Sequence, residues 1–212
     1  MVKLFKLAIV FALLLSIMPL AVGVQPAAAA DELDGLRDKW KTMITGGTSF
    51  STTDTDIAYR ITRINTAADN AVAAFKTGTD RTACNCLFNG VDFKKSTSST
   101  AWDSSGEVTL AFSKLREMAL AYSTVGSTYY NDAALLTKIK DGVAWMIQNV
   151  YVVNNTNQFD NWWEWEIGAP LQLEDVLIMT YSSYTAAEIA AYVAAIDSYS
   201  SDPTLMIQNT TV

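Results

Sequence analysis

Apolar residues recur every three or four positions in six successive stretches of this chain, and three of them open on a Ser/Thr-x-x-Asp/Glu pattern: Thr53–Asp56, Ser104–Glu107 and Thr185–Glu188. A hydroxyl three residues ahead of a carboxylate satisfies two of the orphan N–H groups at a helix start, so each pattern predicts a helix N-terminus. The stripes are Leu33, Leu36, Trp40 and Ile44; Ile57, Ile61, Ile64, Ala68, Ala71, Val72 and Phe75; Val108, Ala111, Phe112, Leu115, Met118, Ala119, Tyr122 and Val125. Then come Leu135, Leu136, Ile139, Val143, Met146, Ile147 and Val150, capped by Asn131 or Asp132; Leu171, Leu173, Val176, Leu177 and Tyr181; and Ile189, Tyr192, Val193 and Ile196, stopped by Asp202-Pro203. Stripes of this period fit helices, and no stretch alternates as a half-buried strand would. Short connections between successive helices imply antiparallel hairpins, the unit of helical bundles and toroids. Residues 76 to 104 break the pattern: they are polar, and Leu87, Phe88, Val91, Phe93 and Trp102 predict a loop pinned over the protein surface with one short helical turn.

Residues 1–30 read as a secretory signal, with Lys3 and Lys6 ahead of an apolar run from Leu7 to about Val22 and a small-residue tract, Ala27 to Ala30. Without them the chain would begin at Asp31 with 13 basic and 22 acidic residues, a formal charge of −9. The expectation is an exported protein with no membrane span once the leader is removed. So acidic a chain lacks the Lys/Arg footprint that nucleic-acid binding requires. There is no histidine, and Cys84-Asn85-Cys86 alone is a weak metal signal, so neither metal nor cofactor is expected. One intervening residue strains a bridge between the two cysteines, which predicts buried or free thiols.

Three of the six tryptophans fall within four positions of Asn161-Trp162-Trp163-Glu164-Trp165-Glu166-Ile167-Gly168-Ala169-Pro170. Helical spacing puts Trp162 and Trp165 on one face and turns Trp163 toward Ile167. Spacing on its own favours inward packing of all three; the alternative is that exposed indoles stack on sugar rings while Asn161 hydrogen-bonds hydroxyls or a carboxylate. Glu164 and Glu166, two apart, point to different faces and suit a helix N-terminus better than paired acid–base chemistry.

The string NWWEWEIGAP resembles the NWW-x-W-x-(I/L)-G-x-P segment of polysaccharide lyase family 8, which includes hyaluronate, chondroitin AC and xanthan lyases. The strings LDGLRDKWKTMITGG and RxMALAYSTVGS (Arg116–Ser127) are similar to the same family, closest to xanthan lyase-like members. The resemblance implies an all-α fold, the N-terminal part of an incomplete (α/α) toroid spanning residues 31–212. It also implies an acidic polysaccharide substrate, with Asn161, Trp162 and Trp163 as substrate contacts and Trp165 packed inward to hold them.

Family members cleave uronic-acid glycans by β-elimination without metal: an Asn neutralises the C5 carboxylate, Tyr and His move protons, and Arg assists. The C5 hydrogen becomes removable only when the charge it leaves is stabilised. Here the histidine is absent, and Asn209 stands in Ile207-Gln208-Asn209-Thr210-Thr211 rather than in the family's T-G-A-N-R. The resemblance therefore implies a chain that stops short of its catalytic groups and is inactive alone. The alternative is a noncatalytic extracellular glycan-binding module.

Overall fold

The computed structural model describes residues 33–93, 104–153 and 158–200. The predicted leader, Trp102, the Asp202-Pro203 stop and the surroundings of Asn209 lie outside the described residues. Six longer helices run in order: α1 (Asp34–Thr45), α2 (Thr55–Ala74), α4 (Gly106–Ser123), α5 (Ala133–Asn149), α6 (Ala169–Thr180) and α7 (Ala186–Tyr199). A short α3 (Gly78–Cys84) follows α2, and a five-residue π-helical turn (Glu164–Gly168) runs directly into α6. Among the described residues the only extended pairing is the isolated bridges Phe75–Phe88 and Phe88–Val91, so the fold is all-α.

The caps only partly follow the sequence patterns. Thr185 forms the full capping box, accepting from Glu188 N while Glu188 Oε2 accepts from Thr185 N. Asp132 caps α5 by accepting from Leu135 N at 2.7 Å. At α2 the cap is Asp54, not Thr53: one carboxylate oxygen takes both Asp56 N and Ile57 N, which a hydroxyl serves less well, while Thr53 bonds Ser51 instead. At α4 the cap residue is Ser105 rather than Ser104: the Ser104 hydroxyl accepts from Gly106 N at 3.2 Å, and the Ser105 hydroxyl is engaged elsewhere.

Cross-contacts fix the helix directions. Thr109, Arg116 and Ser123 of α4 bond, in that order, Glu164 O, Asp175 and Met179 O, so α4 and the turn–α6 segment lie side by side and parallel. Tyr122 O accepts from Asn131 N at one end of α4, Leu115 fills the space beside Gly142, and Phe112 meets Tyr151 edge-on, so α5 runs back antiparallel to α4. Tyr184 follows Thr180, and Tyr199 returns to stack on Trp165, so α7 runs back along α6. From α4 onward, successive helices thus form antiparallel hairpins, as the short connections predict. Gly126 lets the α4–α5 connection turn: its φ is +85°, and a Cβ there would lie 2.7 Å from Thr52 Cγ2 and 2.9 Å from Ile61 Cδ1.

From Leu36 the chain belongs to one compact unit, with α4 at its centre. Phe112, Leu115 and Met118 are fully buried there among Ile139, Met146 and Leu173. Each such side chain contributes about 1.5–3 kcal/mol by leaving water.

Three expectations are corrected. Leu87, Phe88, Val91 and Phe93 do not lie over the surface but sit fully buried in the core, because the Phe75–Phe88 bridge folds the segment inward. Cys86 is disulfide-bonded rather than a thiol, and the chain's second cysteine is Cys84; Asn85 between them is left-handed (φ 49°), a reversal that regular backbone lacks. The apolar stripes of α1 and α7 are less covered than their periodicity predicts. Trp40 and Val193 stay exposed along an apolar groove that Leu177 and Tyr181 also line.

Candidate functional site

The tryptophan segment enters through Asp160, whose carboxylate accepts from both the backbone N and the hydroxyl of buried Ser105. Asn161 N donates to that same hydroxyl, and Asn161 Oδ1 accepts from Trp163 N at 3.2 Å. The side-chain carbonyl of Asn161 thus caps the turn, and its Nδ2 is the group left to donate outward. Two residues of helix later, the ladder widens: Ala169 N bonds Glu164 O across five residues. A π-turn rotates the residues beyond it relative to an α-helix, and such turns recur at functional sites.

Exposure separates the tryptophans. Trp162 and Trp163 are 54% and 43% exposed, whereas Trp165 is 1% exposed. The expected shared face of Trp162 and Trp165 is not found: Trp165, inside the wider turn, lies in the core, and the adjacent pair ahead of the turn stays outside. Trp165 donates its indole N–H to Phe159 O, while its own carbonyl accepts from Tyr151. The inward anchor and the outward pair thus belong to one hydrogen-bonded segment.

Gly168 completes the arrangement. A Cβ there would meet Thr109 Oγ1 and lie 2.8 Å from Trp163 Cζ3, so the glycine lets the Trp163 ring and α4 approach the turn closely. Gly168→Ala is expected to cost about 1–3 kcal/mol through this overpacking and to displace the Trp163 ring. Urea unfolding and tryptophan emission check it; a variant matching the parent in both would show that the turn relaxes freely.

Glu164 and Glu166 are both half-buried at the start of the turn–helix run, where helix polarity favours a negative charge. The protonation-shifted carboxyls lie elsewhere. Burial pushes up Glu117 on α4 and Glu174 on α6, with Asp175 adding to the latter. Burial likewise raises the Tyr151 phenol, which keeps it neutral beneath Trp165. Asp175 itself is spent on structure, bonding Arg116 at 2.5 Å and the Trp40 indole at 3.1 Å. Among the described residues no His/Cys/Asp/Glu group is placed to hold a metal ion, and no helix is long and apolar enough to cross a membrane. Ser105, Thr109 and Gly168 were not legible as site residues; only Gly168 carried a signal, as part of the I-G-x-P string.

An all-α array of antiparallel hairpins with a tryptophan pair held outward at the head of one helix defines a helical-toroid domain with an aromatic surface. Residues 40–212 match polysaccharide lyase family 8, N-terminal alpha-helical domain, and the chain belongs to that family. It is 34% identical over 183 residues to a xanthan lyase of Bacillus sp. (strain GL1), covering 85% of this chain and 18% of that protein. It is 36% identical over 100 residues to a hyaluronate lyase of Enterococcus faecalis, covering 47% of this chain and 10% of that one. The solved Paenibacillus xanthan lyase superposes with a TM-score of 0.71 at 36% identity, over 80% of this chain and 15% of that one. A Streptomyces coelicolor chondroitin AC lyase, solved with chondroitin sulphate, gives 0.67 at 29% identity, over 80% and 21%. The chain thus spans about a fifth or less of these relatives' length.

Proposed function

We propose that this chain is the substrate-holding part of a secreted polysaccharide lyase that cleaves uronic-acid glycans of the hyaluronan, chondroitin or xanthan kind by β-elimination. The observation that carries the reading is the adjacent exposed pair, Trp162 and Trp163, fixed by a buried Trp165. Flat indoles held rigidly outward match the apolar faces of pyranose rings at little entropic cost. Asn161 would add a hydrogen bond from Nδ2 to a hydroxyl or carboxylate. The chain's own residues bind and orient the sugar; without histidine they supply no counterpart to the family's proton shuttle.

The 212-residue protein is expected to bind such glycans yet produce no unsaturated-uronate absorbance. Trp163→Ala is expected to weaken binding by about 1–3 kcal/mol, the range for stacking of a flat ring on an aromatic side chain, with folding little changed. Affinity electrophoresis in hyaluronan, chondroitin sulfate and xanthan, alongside urea unfolding, measures both. Unchanged binding with lost stability would make Trp163 a packing residue, and a clear rise in absorbance would place the chemistry within this chain.

A further inference from the structure

Four observations converge on the entrance to the tryptophan segment. Ser105 occupies the cap position of α4, yet it makes no cap bond to its own helix. Its hydroxyl instead donates to Asp160 Oδ2 at 2.9 Å and accepts from Asn161 N at 3.1 Å, 55 and 56 residues away. Asp160 Oδ2 also accepts from Ser105 N, so the carboxylate of one segment caps the helix of another. Finally, Asp160 holds a left-handed backbone, φ +63°, which a non-glycine residue adopts at a cost and keeps only where surrounding contacts over-determine it.

We propose that Ser105 and Asp160 form a latch that sets the direction of the Trp162–Trp163 surface for sugar stacking, which makes them positioning residues of the binding site. The route is continuous. The latch fixes Asn161 N, the Asn161 side chain fixes Trp163 N, and Trp163 then rests over Gly168. The far end of the same turn is tied by Thr109 to Glu164 O. The first turns of α4 therefore act as a jig for both ends of the platform. Local helix capping alone would need none of this, because Ser105 could serve its own helix; diverting it to a strained aspartate is explained by the tryptophan segment that this aspartate introduces. The inference rests on the proposed sugar platform.

Three substitutions at one position separate the latch from the strain. Asp160→Asn keeps an oxygen acceptor and tolerates the left-handed backbone, so it is expected to behave like the parent. Asp160→Gly relieves the backbone but removes the acceptor, and Asp160→Ala removes both. With 5-fluorotryptophan incorporated, the Trp162 and Trp163 fluorine resonances are expected to shift and broaden in Asp160→Gly and Ser105→Ala, while the buried Trp165 resonance stays in place. Binding to hyaluronan, chondroitin sulfate or xanthan is expected to weaken about tenfold in both variants, measured below their unfolding transitions. Asp160→Asn restoring both readouts supports the latch. Unmoved Trp162 and Trp163 resonances, or equal shifts at Trp165, overturn it. Trp163→Ala serves as the control for the platform itself. If that variant loses binding but Asp160→Gly does not, the latch fails and the platform stands; if Trp163→Ala binds normally, the platform fails, and the resonances alone then decide whether the latch orients the pair.

Discussion

Trp165→Ala is expected to destabilise the protein by about 3–5 kcal/mol, the range for deleting a fully buried large aromatic. The indole is the hub of an aromatic group: Tyr199 stacks on it at 5.3 Å, Tyr151 lies parallel at 6.2 Å, and Phe159 meets it edge-on at 5.2 Å. Tyr151 and Tyr199 in turn stack at 4.1 Å, so the hole would open at the junction of α5, α7 and the π-turn. Its indole N–H partner, Phe159 O, would also be left without that donor. Trp165→Phe keeps most of the stacking and loses only the N–H and part of the volume, so about half the cost is expected. Urea unfolding with an unchanged slope measures both. A Trp165→Ala variant within about 1 kcal/mol of the parent would mean that the neighbouring rings collapse into the hole, contrary to close packing. The adjacent pair is expected to behave in the opposite way: Trp162 and Trp163 are exposed, and on the proposed sugar-holding role their removal weakens glycan binding rather than folding.

How much of this was legible depended on whether the signal was local. The helices were, since period and caps are short-range: α5 begins where Asp132 stands and α7 where Thr185 and Glu188 pair. Even there, Asp54 displaced Thr53 because a carboxylate oxygen accepts two N–H groups at once. The inward turn of residues 85–93 was not legible, because it depends on Phe88 finding Phe75 and on the reversal at Asn85. At the site, residue type pointed to Asn161, Trp162 and Trp163 but not to which indoles face out. A regular helix predicts Trp162 beside Trp165, and the π-turn that contains Trp165 is held by long-range partners: Thr109 on α4, Tyr151 after α5 and the close approach that Gly168 permits. Spacing within ten residues carries no information about those.

Arg81→Met is expected to destabilise the protein by about 2–4 kcal/mol, although nothing in the local sequence marks this arginine. Its guanidinium is nearly buried, gives Nε and Nη2 to Lys76 O at 3.1 and 2.6 Å, and reaches Asp141 at 2.7 Å. It also lies over the rings of Phe75 and Trp145, at 5.3 and 5.5 Å. One side chain therefore ties the end of α2, the inward-folded segment and α5 together, using the planar fork that methionine and lysine both lack. Methionine fills the volume but takes both donors from the part-buried Lys76 O, and that loss dominates the cost. The ion pair itself contributes less, because Asp141 is half exposed and screened by solvent. Asp141→Asn is accordingly expected to cost only about 1 kcal/mol, and Arg81→Lys more than that, since an ammonium cannot serve the carbonyl, the carboxylate and the two rings together. Urea midpoints that fall in the order Asp141→Asn, Arg81→Lys, Arg81→Met, with Arg81→Met the lowest, are the decisive result. If Asp141→Asn proves as costly as Arg81→Met, the segment is held by charge rather than by the carbonyl and the aromatic rings, and the midpoints of both variants should then converge on the parent's as salt is raised.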